Sequence, residues 1–411
     1  MRALLLGLML LAMPVAAQTP EEPEETVMVE GREDGSEAGF RDWVGSFRPS
    51  AITAGVPAAV YDREMRLAVY LPKVVERDRR QTEFTKTIWD YLDIAVSGER
   101  VSSGRDAVAR NTAVLERIEA EFAVEKEVVA AIWGLESAYG SWRGDTDTIS
   151  ALATLAYDGR RAAFFETQLV QALKILDEGH VSRARMVGSW AGAMGHTQFM
   201  PTSWAEFAVD FDGDGKRDIW SDDPTDALAS TANYLRHWGW VRGLPWGIEV
   251  MLPPGFDYDQ TTERVKKPVD DWRAMGVQPA AGGSLPGDDE ASVLLPAGHS
   301  GPAFLIYANF QVIEKYNLAD AYVIGIGHLA DRLRGGPAIA ADWPRHWRAL
   351  TLEERREMQR LLVERGLDTG GVDGRVGPKT IAAVKSWQKA RGDVPDGYPS
   401  PDVLDALRAG G

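Results

Sequence analysis

The chain has 411 residues, 45% of them apolar, and a formal charge of −16. That length suits two or three domains with a real core and excludes a wholly disordered chain. The acidic balance argues against nucleic acid and against adhesion to anionic lipid. The absence of cysteine excludes disulfides and a lipid-modified cysteine.

In chain order, residues 1–17 read as a signal peptide: Arg2, an apolar run from Ala3 to Ala12, then the small-residue cleavage site Val15-Ala16-Ala17. The run is too short for a good spanning helix, so no stable membrane insertion is expected. Residues 18–38 are acidic and poor in large apolar groups, the pattern of a disordered spacer. Helical periodicity follows over Phe47 to Ala54, Asp62 to Leu71, Arg80 to Ser97, Gly104 to Phe122, Glu125 to Tyr139 and Arg161 to Glu178. From about 245 to 308 the pattern changes to short apolar runs between Pro and Gly. Ile248 to Leu252, Ala291 to Leu295 and Ala303 to Tyr307 read as strands of a small β subdomain, with one helix near Val269 to Met275. Helix returns from Phe310 to Leu333, a Gly/Pro/Ala-rich linker covers 336–348, and a separate unit occupies 349–409. The fold class expected is mainly α with a small β part (α+β).

Glu136 stands near the end of the helix containing Ala131-Ile132-Trp133-Gly134-Leu135. Val129, Ile132 and Trp133 lie seven, four and three residues before it, on its own side of the helix. Apolar neighbours disfavour the charged carboxylate and raise its pKa, which makes a general acid suited to glycosidic cleavage. The same pattern also describes a core-edge Glu neutralised by an Arg.

Through Gly188-Ser189-Trp190-Ala191-Gly192-Ala193-Met194-Gly195-His196-Thr197-Gln198-Phe199-Met200-Pro201, residues 40–335 resemble the B-type lytic murein transglycosylases. Gly134-Leu135-Glu136-Ser137, Ala151 to Leu155, an Asp-rich loop and Ala227 to Leu235 share that resemblance, in family order. It implies a lysozyme-like helical core over 39–335 with Glu136 as the single catalytic acid/base. Such an enzyme cleaves the MurNAc–GlcNAc β-1,4 bond and leaves 1,6-anhydromuramyl ends. A hydrolytic muramidase and a non-catalytic wall-binding protein are the alternatives. Carried over residue by residue, the resemblance places Ser189 and Gln198 in the cleft and Tyr234 beneath the sugar. It makes Tyr316 and Tyr322 cleft tyrosines, with Asn309 just before them, and turns Arg160 and Arg161 toward an acidic stem peptide. Phe164 departs from the family's frequent Tyr, so a hydroxyl is missing there.

Asp210, Asp212, Asp214 and Asp218 occupy positions one, three, five and nine of an EF-hand-like loop with Gly215 at six. Ser221 replaces the bidentate Glu at twelve. Some relatives bind calcium here, so a structural Ca²⁺ is considered, with no cofactor required for catalysis. The six histidines show no zinc spacing, and no P-loop, dinucleotide fingerprint or nucleophile elbow is present. Beyond Leu350, Gly371-Val372-Asp373-Gly374-Arg375-Val376-Gly377-Pro378-Lys379-Thr380 resembles the turn of the small three-helix peptidoglycan-binding domain. The partner expected is therefore the glycan strand of peptidoglycan, and the compartment expected is the periplasm. No protein partner is indicated.

Overall fold

A computed structural model describes residues 35–80, 86–287 and 289–410. The signal-peptide reading and most of the acidic spacer lie outside the described residues. The chain divides into two compact units.

The first unit holds residues 35–78, 94–238 and 315–318. It opens with α1 (Glu37–Thr53), capped by the Ser36 side chain, so the last two residues assigned to the spacer are already helical. Then come α2 (Ala58–Leu67) and α3 (Pro72–Arg80). The next helix, α4 (Ile88–Ala95), belongs mainly to the second unit. The single helix expected from Arg80 to Ser97 is thus not one element; residues 81–85, between α3 and α4, lie outside the described residues.

The helix expected from Gly104 to Phe122 is two: α5 (Gly98–Arg110) and α6 (Thr112–Phe122). Asn111 separates them by turning its amide back onto the Ala107 carbonyl, local competition that short polar side chains offer the helix ladder. The remaining elements are α7 (Lys126–Ser137), β1 (Thr146–Asp147), α8 (Thr148–Asp158), α9 (Ala162–Asp177), β2 (Val187–Gly188), α10 (Pro201–Phe207) and α11 (Thr225–His237). Strands β1 and β2 pair antiparallel, Thr146 against Gly188 and Asp147 against Val187. Asp147 then caps α8 at Ser150 N, 2.7 Å away.

The second unit holds residues 79–80, 86–93, 239–314 and 319–410 among those described. Its five-stranded antiparallel sheet joins β3 (Gly247–Met251), β4 (Lys267–Pro268), β5 (Gln278–Pro279), β6 (Glu290–Leu294) and β7 (Ala303–Ile306) in the order β4-β6-β7-β3-β5. One helix, α12 (Val269–Ala274), lies among them, and Trp272, Val293, Leu305 and Tyr307 sit in its core. The three expected strands are present; β4 and β5, at two residues each, are too short to show an alternating pattern. Beyond the sheet, α13 (Ala308–Glu314) and α14 (Asp320–Leu333) replace the one helix expected from Phe310 to Leu333.

The last three helices, α15 (Leu352–Glu364), α16 (Pro378–Arg391) and α17 (Pro401–Arg408), enclose Met358, Leu362, Val384, Trp387 and Leu404. A capping box of Thr351 and Glu354 starts α15, and Pro378 and Pro401 open the other two. This module is seated on the sheet region. The buried Lys385 ammonium donates to Tyr258 O and to Thr261 Oγ1, and Asp396 accepts from His299 N. The stretch expected to be a linker is held as well: Ala340 N and Ala341 N donate to the Glu249 carboxylate, and Arg345 pairs with Asp93. Among the described residues no helix is long and apolar enough to cross a membrane.

Candidate active site

Every residue of α7 from Val128 to Ser137 is buried, so its polar groups must find partners. Glu136, 8% exposed, occupies the last turn. Directly after it the chain reverses through three successive left-handed residues: Ala138 (φ 48°), Tyr139 (φ 58°) and Gly140 (φ 81°). Only glycine takes that conformation without cost, so the other two must be held by their surroundings. Tyr139 folds back over Gly134, where an added Cβ would meet the phenol ring at 2.5 Å. Its hydroxyl donates to Arg100 O at 3.0 Å, and the Arg100 guanidinium donates to Gly134 O. The turn that carries Glu136 is thereby clamped from the outside.

The segment after β2 forms the facing wall. Ser189 N donates to Ala193 O at 2.8 Å, and Ala193 N donates to Ser189 Oγ at 3.1 Å, closing a tight turn. Met194 and Phe199 exchange both backbone hydrogen bonds, which closes a second turn containing His196 and Gln198. Gln198 is left-handed at φ 54°, and its amide nitrogen donates to Gly195 O and Arg143 O. The carbonyl oxygen is the remaining polar atom of that side chain. Both Ser189 and Gln198 are buried, at 5% and 8% exposure. Tyr316 donates its hydroxyl to Thr197 O, and burial followed by the charge of Glu136 pushes its phenol well above the ordinary pKa. Glu136, the Ser189–Gln198 segment and Tyr316 therefore meet within one unit. Beside them opens a cavity of about 560 Å³, lined among others by Trp142, Arg143, Asp145, Arg185, Trp220 and Asp222.

The transglycosylase SLT domain family matches residues 39–331, and the peptidoglycan binding domain family matches 351–407. The chain belongs to the transglycosylase SLT family. Membrane-bound lytic murein transglycosylase B of Escherichia coli (strain K12) is 34% identical over 215 residues, which cover 51% of this chain and 56% of that relative. The match thus spans little more than half the length of the curated relative. Crystalline SltB3 from Pseudomonas aeruginosa, in complex with NAG-anhNAM-pentapeptide, is 49% identical. Its superposition has a TM-score of 0.87 and covers 90% of this chain and 99% of that one. Escherichia coli Slt35 in complex with calcium is 26% identical with a TM-score of 0.61, over 76% of this chain and 98% of that one.

Within this SLT-family chain, several residues expected in the cleft make contacts inside the protein. Tyr234 is 2% exposed, packs edge-on against Phe207 and Tyr316, and donates its hydroxyl to Lys315 O. That bond ties the Lys315–Tyr316 segment to α11. Arg160 and Arg161 both pair with Asp78, whose carboxylate is 1% exposed. One buried charge needs such compensation, while the Arg160 and Arg161 side chains keep 14% and 29% exposure. Asn309 and Tyr322 lie in the second unit. Asn309 is fully buried, and both ends of its amide bond the backbone of Val241, with a further bond to Leu244 O. Tyr322 is buried at 6% exposure on the first turn of α14. Phe164 packs edge-on against Phe165.

In the Asp-rich loop, Asp210, Asp212 and Asp214 are exposed, and each offers an oxygen within 4.8 Å of the others. Asp218 stands apart: one oxygen accepts from Trp220 N and Ser221 N, the other faces Arg185. Asp226, not singled out in the sequence, holds the loop from within by accepting from Phe211 N, Asp212 N and Asp218 N. Burial raises its carboxyl to about 6 against the pull of those hydrogen bonds. Its place in the Ala227–Leu235 helix start gave no hint of this, because its partners are 8 to 15 residues away. Three clustered carboxylates suit a hard cation, and the fourth predicted ligand is not among them.

Proposed function

We propose that this chain cleaves the MurNAc–GlcNAc β-1,4 bond of peptidoglycan by intramolecular transglycosylation, with Glu136 as sole acid and base. The Glu136 proton passes to the glycosidic oxygen as the C1–O bond breaks. The resulting carboxylate takes the proton of the C6 hydroxyl while O6 bonds to C1. Glu136 ends protonated, no water is consumed, and the tethered hydroxyl has the advantage of high effective molarity.

The observation that carries this reading is the buried Glu136 carboxylate at the end of α7 in a chain of the transglycosylase SLT family. A hydrolase of the usual kind needs a second acid. Asp147, the nearest helix-cap acid, is committed to Ser150 N and to a two-point ion pair with Arg183. Arg183 and Ser150 together hold the Asp147 carboxyl below the usual range despite its burial. Ser189 and Gln198 are proposed to bind acetamido and hydroxyl groups of the sugars, with Tyr316 fixing the loop that carries Gln198. The bound saccharide-pentapeptide of SltB3 and the match over 351–407 support peptidoglycan as substrate and the C-terminal module as its second contact. The leader pattern supports export to the periplasm, and the calcium in Slt35 supports a structural cation at Asp210, Asp212 and Asp214. A bound cation would supply charge compensation to those three carboxylates.

Mass spectrometry of digested sacculi tests the reaction: 1,6-anhydromuramyl ends are expected. Reducing ends would mark a muramidase, and no cleavage would mark a binding protein. Glu136→Gln should fold normally and lose activity by roughly 100-fold or more. A folded variant with near-full muropeptide release would refute the assignment of Glu136.

A further inference from the structure

His196 is 2% exposed, and three elements meet on it. On one edge of the ring, Trp133 Nε1 donates to Nδ1 at 3.0 Å. Trp133 is on α7, three residues before Glu136. An indole nitrogen only donates, so Nδ1 must be the accepting nitrogen and the ring proton sits on Nε2. On the other edge, Nε2 lies 2.7 Å from Ser221 O and donates to it. The His196 backbone takes part too: its carbonyl accepts from Ser137 Oγ, the residue directly after Glu136. Ser137 Oγ in turn accepts from Gly140 N at 3.0 Å. At Gly140 any Cβ would lie 2.6 Å from the imidazole, so the reversal after Glu136 and the ring are fitted to each other.

Arg143 completes the group. Its guanidinium lies 3.0 Å from His196 Nε2, donates alongside it to the same Ser221 carbonyl at 2.5 Å, and pairs with Asp222 at 2.6 Å. Burial, and after it the Arg143 charge, hold the imidazole below its ordinary pKa, which agrees with a neutral ring. His196 is also two residues from Gln198 in the same closed turn.

We propose that His196 is a positioning residue for the transglycosylase reaction. Through its neutral Nε2–H tautomer it locks the last turn of α7, and so the Glu136 carboxyl, to the Gln198 turn and to Ser221 at the end of the Asp-rich loop. The proposal rests on Glu136 being the acid. A small displacement of a catalytic group costs rate rather than substrate affinity, which separates positioning from binding.

The test uses the full chain and three substitutions, with kcat and KM measured on a soluble glycan and normalised to folded protein. His196→Phe keeps the ring volume and removes both polar edges. Its kcat should fall about 10-fold or more with KM within about 2-fold. His196→Asn places an amide oxygen where Nδ1 stood and can still accept from Trp133. His196→Gln places an amide nitrogen where Nε2 stood and can still donate to Ser221. Asn should restore most of kcat and Gln should not, because the Trp133 edge is the one attached to α7. Asn and Gln variants with equal kcat, or a Phe variant with parental kcat, would overturn the proposal. If the Phe variant does not fold, the Asn and Gln pair decides it. A Glu136→Gln control that stays active would refute the acid assignment instead, independently of His196.

Discussion

At the scale of single residues, some buried polar side chains are spent on distant backbone. Asn309 makes the point. Its three bonds to Val241 N, Val241 O and Leu244 O are 2.7 to 2.9 Å long, and the side chain is fully buried. Truncation to Ala leaves those backbone groups unpaired and opens a small void. Asn309→Ala should therefore cost on the order of 2–4 kcal/mol of stability, measured by denaturant melts. Turnover per folded molecule on a soluble glycan should stay within about 2-fold. A rise in KM without loss of stability would instead return Asn309 to the substrate. The motif that singled out Asn309 was legible in the sequence; what the amide holds was not, because its partners are 65 and 68 residues away.

At the scale of elements, the Asp-rich loop joins local and long-range control. Its turns are written in the sequence: Gly213 (φ 81°) and Gly215 (φ 88°) permit the left-handed steps, and Asp210 accepts from Gly213 N and Gly215 N. Its ends are tied elsewhere, to Asp226 on α11 and, at Ser221, to His196 and Arg143. A cation held by Asp210, Asp212 and Asp214 would stabilise only the folded loop. Thermal melts should rise with added calcium, by about 1.4 kcal/mol when the ion stands tenfold above its Kd. Magnesium should do less, since it demands a tighter octahedron. Asp212→Ala with Asp214→Ala should abolish the rise, while Asp218→Ala should leave much of it. An equal rise in the double variant would place the ion elsewhere. The split of the Gly104–Phe122 region into α5 and α6 teaches a similar lesson. Helical periodicity runs through Asn111 without interruption, and only the side-chain bond to Ala107 O shows the break.

At the scale of the whole molecule, the C-terminal module follows a stretch that reads as a linker. Within the second unit it is instead built against the sheet region. Lys385 reaches Tyr258 O and Thr261 Oγ1, Asp396 receives His299 N, and the ring of Trp347 stacks on Tyr398 at 5.7 Å. Burial lowers the Lys385 pKa, so this contact is made at the expense of solvation. Deleting residues from 350 onward should then have two effects. Sacculus pull-down should weaken, and the melting temperature of the remaining chain should drop, by roughly 2–4 °C for each kcal/mol of lost packing. Cleavage of short soluble glycans per folded molecule should persist. An unchanged melting temperature with weakened pull-down would mean that the seat contributes no stability.

The sequence alone determined the helical character, the three longer strands and the acidic residue at the end of α7. These follow from local rules, since apolar spacing, caps, Gly and Pro act over a few residues. Tertiary structure alone decided which distant groups the polar side chains meet. Arg160 and Arg161 were readable as a basic pair, but Asp78, some 82 residues earlier, takes both. Tyr234 was readable as an aromatic at the right spacing, but Lys315, 81 residues later, takes its hydroxyl. His196 looked like a scattered histidine until Trp133 and Ser221, 63 and 25 residues away, closed on its two nitrogens. Spacing along a chain fixes which side chains share a face; only folding brings distant donors and acceptors together, and that pairing sets the charge and freedom of each group.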